Sequence, residues 1–251
     1  MRNTWVPYPF QNNITALPVD DQISCINGLI EAKVSNALAK TPPSNFDEWI
    51  MRVMGEGIAN IFMRPYNFKV WAIPTPLMQC TWLGERVATA NVAKVVENVI
   101  RNKFESNWGP NAVFRFPQEG GTGAIWKKVA DKCCGDVNRQ RYNTKVTKIN
   151  PEEHTVELSD GKKIKYDKLL STLPLDNTLR DAGKPELADR LTYSSTHVIG
   201  IGLRGDSPHD QKCWMYYPED DCINIMSDYK FLIHFMSGIN MRYISELTTI
   251  N

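Results

Sequence analysis

Arg64 is the residue on which the chemistry of this sequence turns. It follows the apolar run Ile58, Ile61, Phe62 and Met63 and precedes Pro65, within the stretch FMRPYNFKVWAIP. A guanidinium carries five N–H donors in a planar fork that matches a carboxylate or a phosphate. Tyr66, Asn67, Lys69 and Trp71 follow it, and Asn45, Phe46 and Trp49 lie upstream. Aromatic and amide side chains beside a fixed cation are what holding a planar base and a phosphate requires. The same placement suits an arginine that pairs with the last carbonyls of a helix or with a nearby carboxylate. Both readings stay open at this point.

A second cluster is Gly120, Gly121 and Gly123, in FRFPQEGGTGAIWKKVADKCC, with Arg115 shortly before it. Glycines let a backbone approach a flat or charged group, and a helix opening at Ala124 would offer unpaired N–H donors to an anion or a flavin edge. A glycine cluster serves a plain turn as readily. Lys127 and Lys128 read as a solvated helix face. GxGxxG spacing occurs at Gly200, Gly202 and Gly205, but Asp206, Ser207 and Pro208 follow in place of an apolar helix, so it reads as a chance match.

No Ser-His-Asp or Cys-His constellation is readable, and no side chain is assigned as a nucleophile. The six cysteines show no CxxC spacing and the four histidines no pair at helical spacing, so no metal site is assigned. Cys133 and Cys134 are adjacent, which makes an ordinary disulfide awkward and favours reduced thiols in a cytoplasmic protein.

The 251 residues are 42% hydrophobic, enough for a sizeable core. With 29 basic and 28 acidic residues the net charge is +1, so no global field draws in nucleic acid or an anionic membrane surface. No apolar stretch approaches the roughly 18 residues of a membrane span, and MRNTWVPYPF does not read as a secretory signal.

The elements that must position these residues are mostly helical at first. Pro7 and Pro9 make Trp5 to Asn13 an edge strand or extended lead-in, ending in a turn at Asn12 and Asn13. A helix from Pro18 has Asp20 and Asp21 in its first turn and an apolar stripe of Ile23, Ile26, Leu29, Ile30, Val34 and Leu38. A second opens at Ser44 or Asn45, with Asp47 or Glu48 placed to close a capping box, and is expected to stop at Pro65. LGERVATAN and VAKVVENVIRNKF read as helix, with Val92, Val95, Val96, Val99 and Ile100 as the apolar stripe. Another helix runs from Ala124 to about Cys134. TKVTKIN and TVELSDGKKIKY read as strands, the second folded into a hairpin about Ser159, Asp160 and Gly161. KLLSTLPL, HVIGIGLRG and CWMYY read as further strands, the last placing Tyr216 and Tyr217 on opposite faces. Trp49 fits a plain core tryptophan and Asn91 a plain helix cap, and neither alternative is closed by the residues alone.

The stretch NFDEWI through FMRPYNFKVWAIPTPLMQCTWLGERVA resembles eukaryotic-type UDP-galactopyranose mutase, as do YPFQNN, FRFPQEGGTGAIW and the CWMYYPED run; the likeness covers about residues 5 to 222. The resemblance implies a flavoenzyme that interconverts UDP-galactopyranose and UDP-galactofuranose, with the chemistry carried by N5 of reduced FAD. It implies a base-binding wall of Tyr8, Gln11, Asn45 and Trp49, the last two at i, i+4 spacing. It further implies Asn91 toward the sugar, Arg64 and Tyr216 at the diphosphate, and Arg115, Gly120, Gly121, Gly123 and Val146 at the FAD. UDP-galactose is the implied partner, with a homo-oligomer allowed.

The fold so implied is α/β with mixed character: an incomplete FAD-binding Rossmann-like framework, an inserted helical substrate-binding lobe and an antiparallel β-sheet. Residues 1–13 would lead into the sheet domain, 14–106 form the lobe, 107–184 part of the FAD domain and 185–235 the antiparallel sheet, with a divergent tail at 236–251. Lobe and sheet should enclose Arg64. Two departures stand out. The family carries a GxGxxG strand-turn-helix ahead of the position of Trp5, and Met226 stands where register puts a second diphosphate arginine. The expectation is therefore a truncated form with little or no activity, set against two alternatives: another FAD-dependent oxidoreductase of amine-oxidase-like fold, or a non-catalytic remnant that binds a UDP-sugar or a partner chain.

Overall fold

A computed structural model of the chain describes residues 1–84, 87–105, 115, 117–135, 139–195, 214–219, 225–229 and 232–233. It divides into two compact units, Met1–Phe114 with Ser194–Asn251, and Arg115–Tyr193.

In the first unit the lead-in forms no strand. Pro7 and Pro9 withhold ladder donors, and the chain turns over in two 3-10 turns, Phe10–Asn12 and Ile14–Ala16. The Asn13 amide ties them down, donating to the carbonyls of Pro9 and Glu105 at 2.9 Å each. Helix α1, Val19–Leu38, opens after Pro18 with both aspartates in its first turn. Its buried face differs from the stripe that the periodicity suggests. Cys25, Gly28, Leu29 and Ala32 are buried, while Ile23, Ile30, Val34 and Leu38 are exposed.

The cause is how close the second helix comes. Helix α2, Phe46–Ile58, crosses α1 through glycines, and a Cβ added to Gly55 would sit 2.0 Å from the Gly28 carbonyl oxygen. Gly55 also has φ +72°, a left-handed kink that a residue with a Cβ adopts at a cost. Backbone approaches this close select the small-residue face of α1. The start of α2 is capped as its sequence suggests. Asn45 Oδ1 accepts the Glu48 N–H at 2.9 Å, and the Glu48 carboxylate accepts the Ser44 N–H and hydroxyl at 2.7 Å each.

Pro65 does not stop the helix. Ala59–Met63 form a π turn, and helix α3, Arg64–Trp71, continues directly with Pro65 in its first turn. A widened turn accommodates both the ring and the missing N–H, which would break a regular α-helix. LGERVATAN is not α-helical over its described residues. Helix α4 begins only at Val92 and runs to Arg101, with Val95 and Asn98 buried and Ile100 exposed.

The second unit holds helix α5, Gly121–Cys133, which starts three residues before the expected Ala124. Strands β1 (Val146–Asn150), β2 (Thr155–Leu158) and β3 (Lys163–Lys165) form an antiparallel sheet in that order over a small core of Ile149, Val156 and Leu158. Gly161, at φ +80°, makes the β2–β3 turn where the sequence places it. KLLSTLPL is a loop instead of a strand. Backbone groups in a strand need a ladder partner, and here Ser171 bonds locally, to the Thr178 hydroxyl at 2.9 Å and the Leu173 N–H at 3.3 Å. Helices α6, Leu175–Asp181, and α7, Pro185–Ala188, complete the unit, so the stretch from 185 opens as helix and not as sheet.

Strands β4 (Trp214–Tyr216), β5 (Ile225–Tyr229) and β6 (Leu232–Ile233) return to the first unit as a second antiparallel sheet. HVIGIGLRG lies outside the described residues, and with it Gly200, Gly202 and Gly205. The fold is mixed α/β. A Rossmann-like framework sets parallel strands side by side, whereas every strand pair among the described residues is antiparallel.

Candidate functional site

Arg64 does not point into a space between lobe and sheet. Its Nε and Nη2 donate to Oδ1 and Oδ2 of Asp47, both at 2.7 Å, and Nη1 donates to Asn60 Oδ1 at 2.6 Å. Asp47 sits in the first turn of α2, and its Oδ1 also accepts the Thr75 hydroxyl at 2.7 Å. These bonds and the Arg64 charge hold the Asp47 carboxyl below its ordinary value, and the Asp47 carboxylate raises Arg64 in turn. The arginine side chain is 36% exposed. Strand β4 packs instead against the adjoining part of α3, with Tyr216 edge-on to Tyr66 at 5.5 Å, and Lys69 donates to the Tyr217 carbonyl at 2.8 Å.

One step around α3 lies a cavity of about 200 Å³. Met63, Tyr66, Asn67, Val70 and Trp71 form one wall, Tyr8, Phe10 and Gln11 a second, and Trp82, Val87, Ala88 and Tyr216 close it. A turn at the chain start, a helix, a loop and a strand end therefore meet there. Gln11 is buried, and its Nε2 donates to the Ala88 carbonyl at 2.5 Å, which fixes the amide plane. Tyr66 stacks on Phe62 at 4.9 Å, and Phe62 on Phe10 at 4.5 Å. Burial and the neighbouring phenols raise Tyr66 well above its ordinary value, and burial and Tyr8 raise Tyr216 to about 12. Both hydroxyls thus stay protonated and able to donate. The volume falls below the roughly 300–1,000 Å³ of whole-ligand pockets, so this space suits one ring of a larger molecule.

The structure brings Tyr8, Gln11 and Tyr216 together and leaves Asn45, Trp49 and Asn91 out of that lining. Asn45 spends its carbonyl on the α2 cap, and Asn91 accepts the Lys94 N–H at 3.1 Å as the cap of α4. Trp49 packs beside Phe46 at 5.9 Å, half-buried against the core. Arg64 is not in the cavity wall, but Trp71 lies seven residues on, two turns along the same face of α3 and about 10 Å away. Trp82 and Ala88 are not singled out by the sequence, and Asp47 is singled out there only as a candidate for the α2 capping box. Asp47 lies 17 positions from its partner, and Ala88 contributes only a backbone carbonyl.

The flavin candidates all lie in the other unit. Gly120 caps α5 in the left-handed region at φ +73°, and a Cβ on Gly121 or Gly123 would meet nothing within 4 Å. An open glycine approach at the first turn of a 13-residue helix fits a flat or anionic group. Arg115 is exposed, and Val146 begins β1 opposite Leu158. Met226 stands in β5 opposite Met215. Among the described residues no helix is long and apolar enough to cross a membrane.

Comparison with known proteins assigns the class. The chain belongs to the flavin containing amine oxidoreductase family, whose sequence model matches residues 29–212. It is also a homologue of UDP-galactopyranose mutase. A crystal structure of the reduced mutase superposes with a TM-score of 0.85 at 39% sequence identity, covering 96% of this chain and 56% of the mutase chain. This chain thus spans little more than half the length of that relative.

Proposed function

We propose that the first unit binds the nucleotide of a UDP-sugar, and that the chain serves interconversion of UDP-galactopyranose and UDP-galactofuranose. The convergence of Tyr8 and Gln11 from the chain start with Tyr216 from β4 on one aromatic cavity carries this reading, because two segments far apart in the sequence supply it. The cavity takes the planar base. Gln11, with its amide plane fixed by Ala88, presents its remaining oxygen and N–H to the donor and acceptor edge of a uracil. The Tyr66 and Tyr216 hydroxyls donate to oxygens of the ligand, and Arg64 meets the diphosphate along the same face of α3 as Trp71. Asn45, Trp49 and Asn91 support these elements through caps and packing.

Arg115, Gly120, Gly121, Gly123 and Val146 are the residues that would hold FAD, whose ring supplies the covalent chemistry when bound. The protein's share is to bind the base, neutralise the diphosphate and exclude water.

The test is calorimetry of UDP binding to the full chain and to Arg64→Ala. The wild type should bind, and the variant should lose on the order of 2 kcal/mol or more, as for a charged hydrogen-bond partner. A folded wild type that binds no UDP overturns the reading. The family's description favours a second one, an amine-oxidising flavoprotein, and an aromatic wall suits an ammonium as well as a base. Benzylamine binding that UDP fails to displace would select it.

A further inference from the structure

We propose that Asp47 is the positioning residue of Arg64, holding the guanidinium so that one edge is kept for a bidentate anion. This rests on the reading that Arg64 meets the diphosphate of a nucleotide. The Asp47 side chain is 17% exposed and spends both oxygens on Arg64, at 2.7 Å each. Thr75, itself buried, fixes Oδ1 from a third segment at 2.7 Å. Asn60, one turn before Arg64, accepts from Nη1 at 2.6 Å.

A guanidinium has five N–H groups. Three are committed to Asp47 and Asn60, leaving one on each terminal nitrogen. Two donors on adjacent nitrogens are what two phosphate oxygens bind in parallel. The fork is therefore fixed in place before a ligand arrives, and the loss of rotamer freedom on binding is reduced.

The opposite arrangement, Asp47 as a competitor that must let go, is disfavoured by the same geometry. Release would break two charge-assisted bonds and leave a mostly buried carboxylate with Thr75 alone. An anion gains more by using the edge that remains.

The experiment measures UDP affinity by calorimetry for wild type, Asp47→Ala, Asp47→Asn, Arg64→Ala and the double variant Asp47→Ala/Arg64→Ala. Asp47→Ala should weaken UDP binding about tenfold, and should add nothing in the Arg64→Ala background, because Asp47 acts through Arg64. Asp47→Asn is isosteric and stands in if the alanine variant does not fold; it should weaken binding in the same direction. Equal or tighter binding by Asp47→Asn overturns the inference and makes Asp47 a competitor. Losses that add in the double variant overturn it too, as the mark of a general structural role. Wild type that fails to bind UDP removes the nucleotide reading itself, whereas a binding wild type with unchanged Asp47 variants removes this inference alone.

Discussion

Helices α2 and α5 each have 13 residues and different fates. Helix α2 buries Phe46, Ile50, Met54 and Ile58 fully and crosses α1 at backbone distance. Helix α5 buries no residue, and Ile125, Trp126 and Val129 stand 47%, 67% and 45% exposed. Apolar residues stabilise a helix only where a neighbour covers them. Consequently the nucleotide candidates rest on a core that fixes their geometry, while the glycine cluster proposed for the flavin begins a helix with little covering it among the described residues. The nucleotide candidates and the flavin candidates should differ in stiffness accordingly.

The sharpest test of that contrast is truncation in α2. Phe46→Ala removes a fully buried ring against Trp49 and Trp82, and should cost about 3–5 kcal/mol in denaturant unfolding. A loss below about 1 kcal/mol would mean that this core is not the stable part.

A middle-sized effect comes from acid. The folded-state value of the Asp47 carboxyl lies below its ordinary 3.8, so the pair contributes stability above that pH and loses it as pH falls through the lowered value. Asp47→Asn should lower stability at neutral pH on the order of 1 kcal/mol and flatten the acid end of the stability curve. An unchanged acid slope, followed by fluorescence, would show that the pair is not formed in solution.

The smallest change is expected in α5. Trp126→Ala should leave global unfolding within about 0.5 kcal/mol of wild type. A larger loss would mean that this face is covered in solution, and would erase the contrast between the helices.

Local signals were the legible ones. Two aspartates after Pro18, the Ser44–Asn45–Glu48 box and the Asp160–Gly161 turn each act within a few residues, and each forms as its chemistry suggests. What depends on distant partners was hidden. The α1 stripe gave the helix but not its inward face, because Gly28 is selected by Gly55 from the next helix. Arg64 could be marked as important, yet its pairing with Asp47 depends on how α2 and α3 lie together. Tyr8, Gln11 and Tyr216 were marked by resemblance. Their meeting with Trp82 and Ala88 depends on a loop that shows no periodicity.

The π turn before Pro65 sets the rotational phase of everything after it. Its five residues turn the chain about as far as four residues of an α-helix do, so the extra residue is absorbed within the turn and Arg64 keeps the direction that faces Asp47. Deleting one residue of Ala59–Met63 would close the turn to α-helical spacing and leave Pro65 inside a regular helix, where its ring meets the carbonyl of the residue four before it. The spare residue is thus what lets a proline stand directly beside the arginine, although most of the five residues touch no ligand in the proposed site.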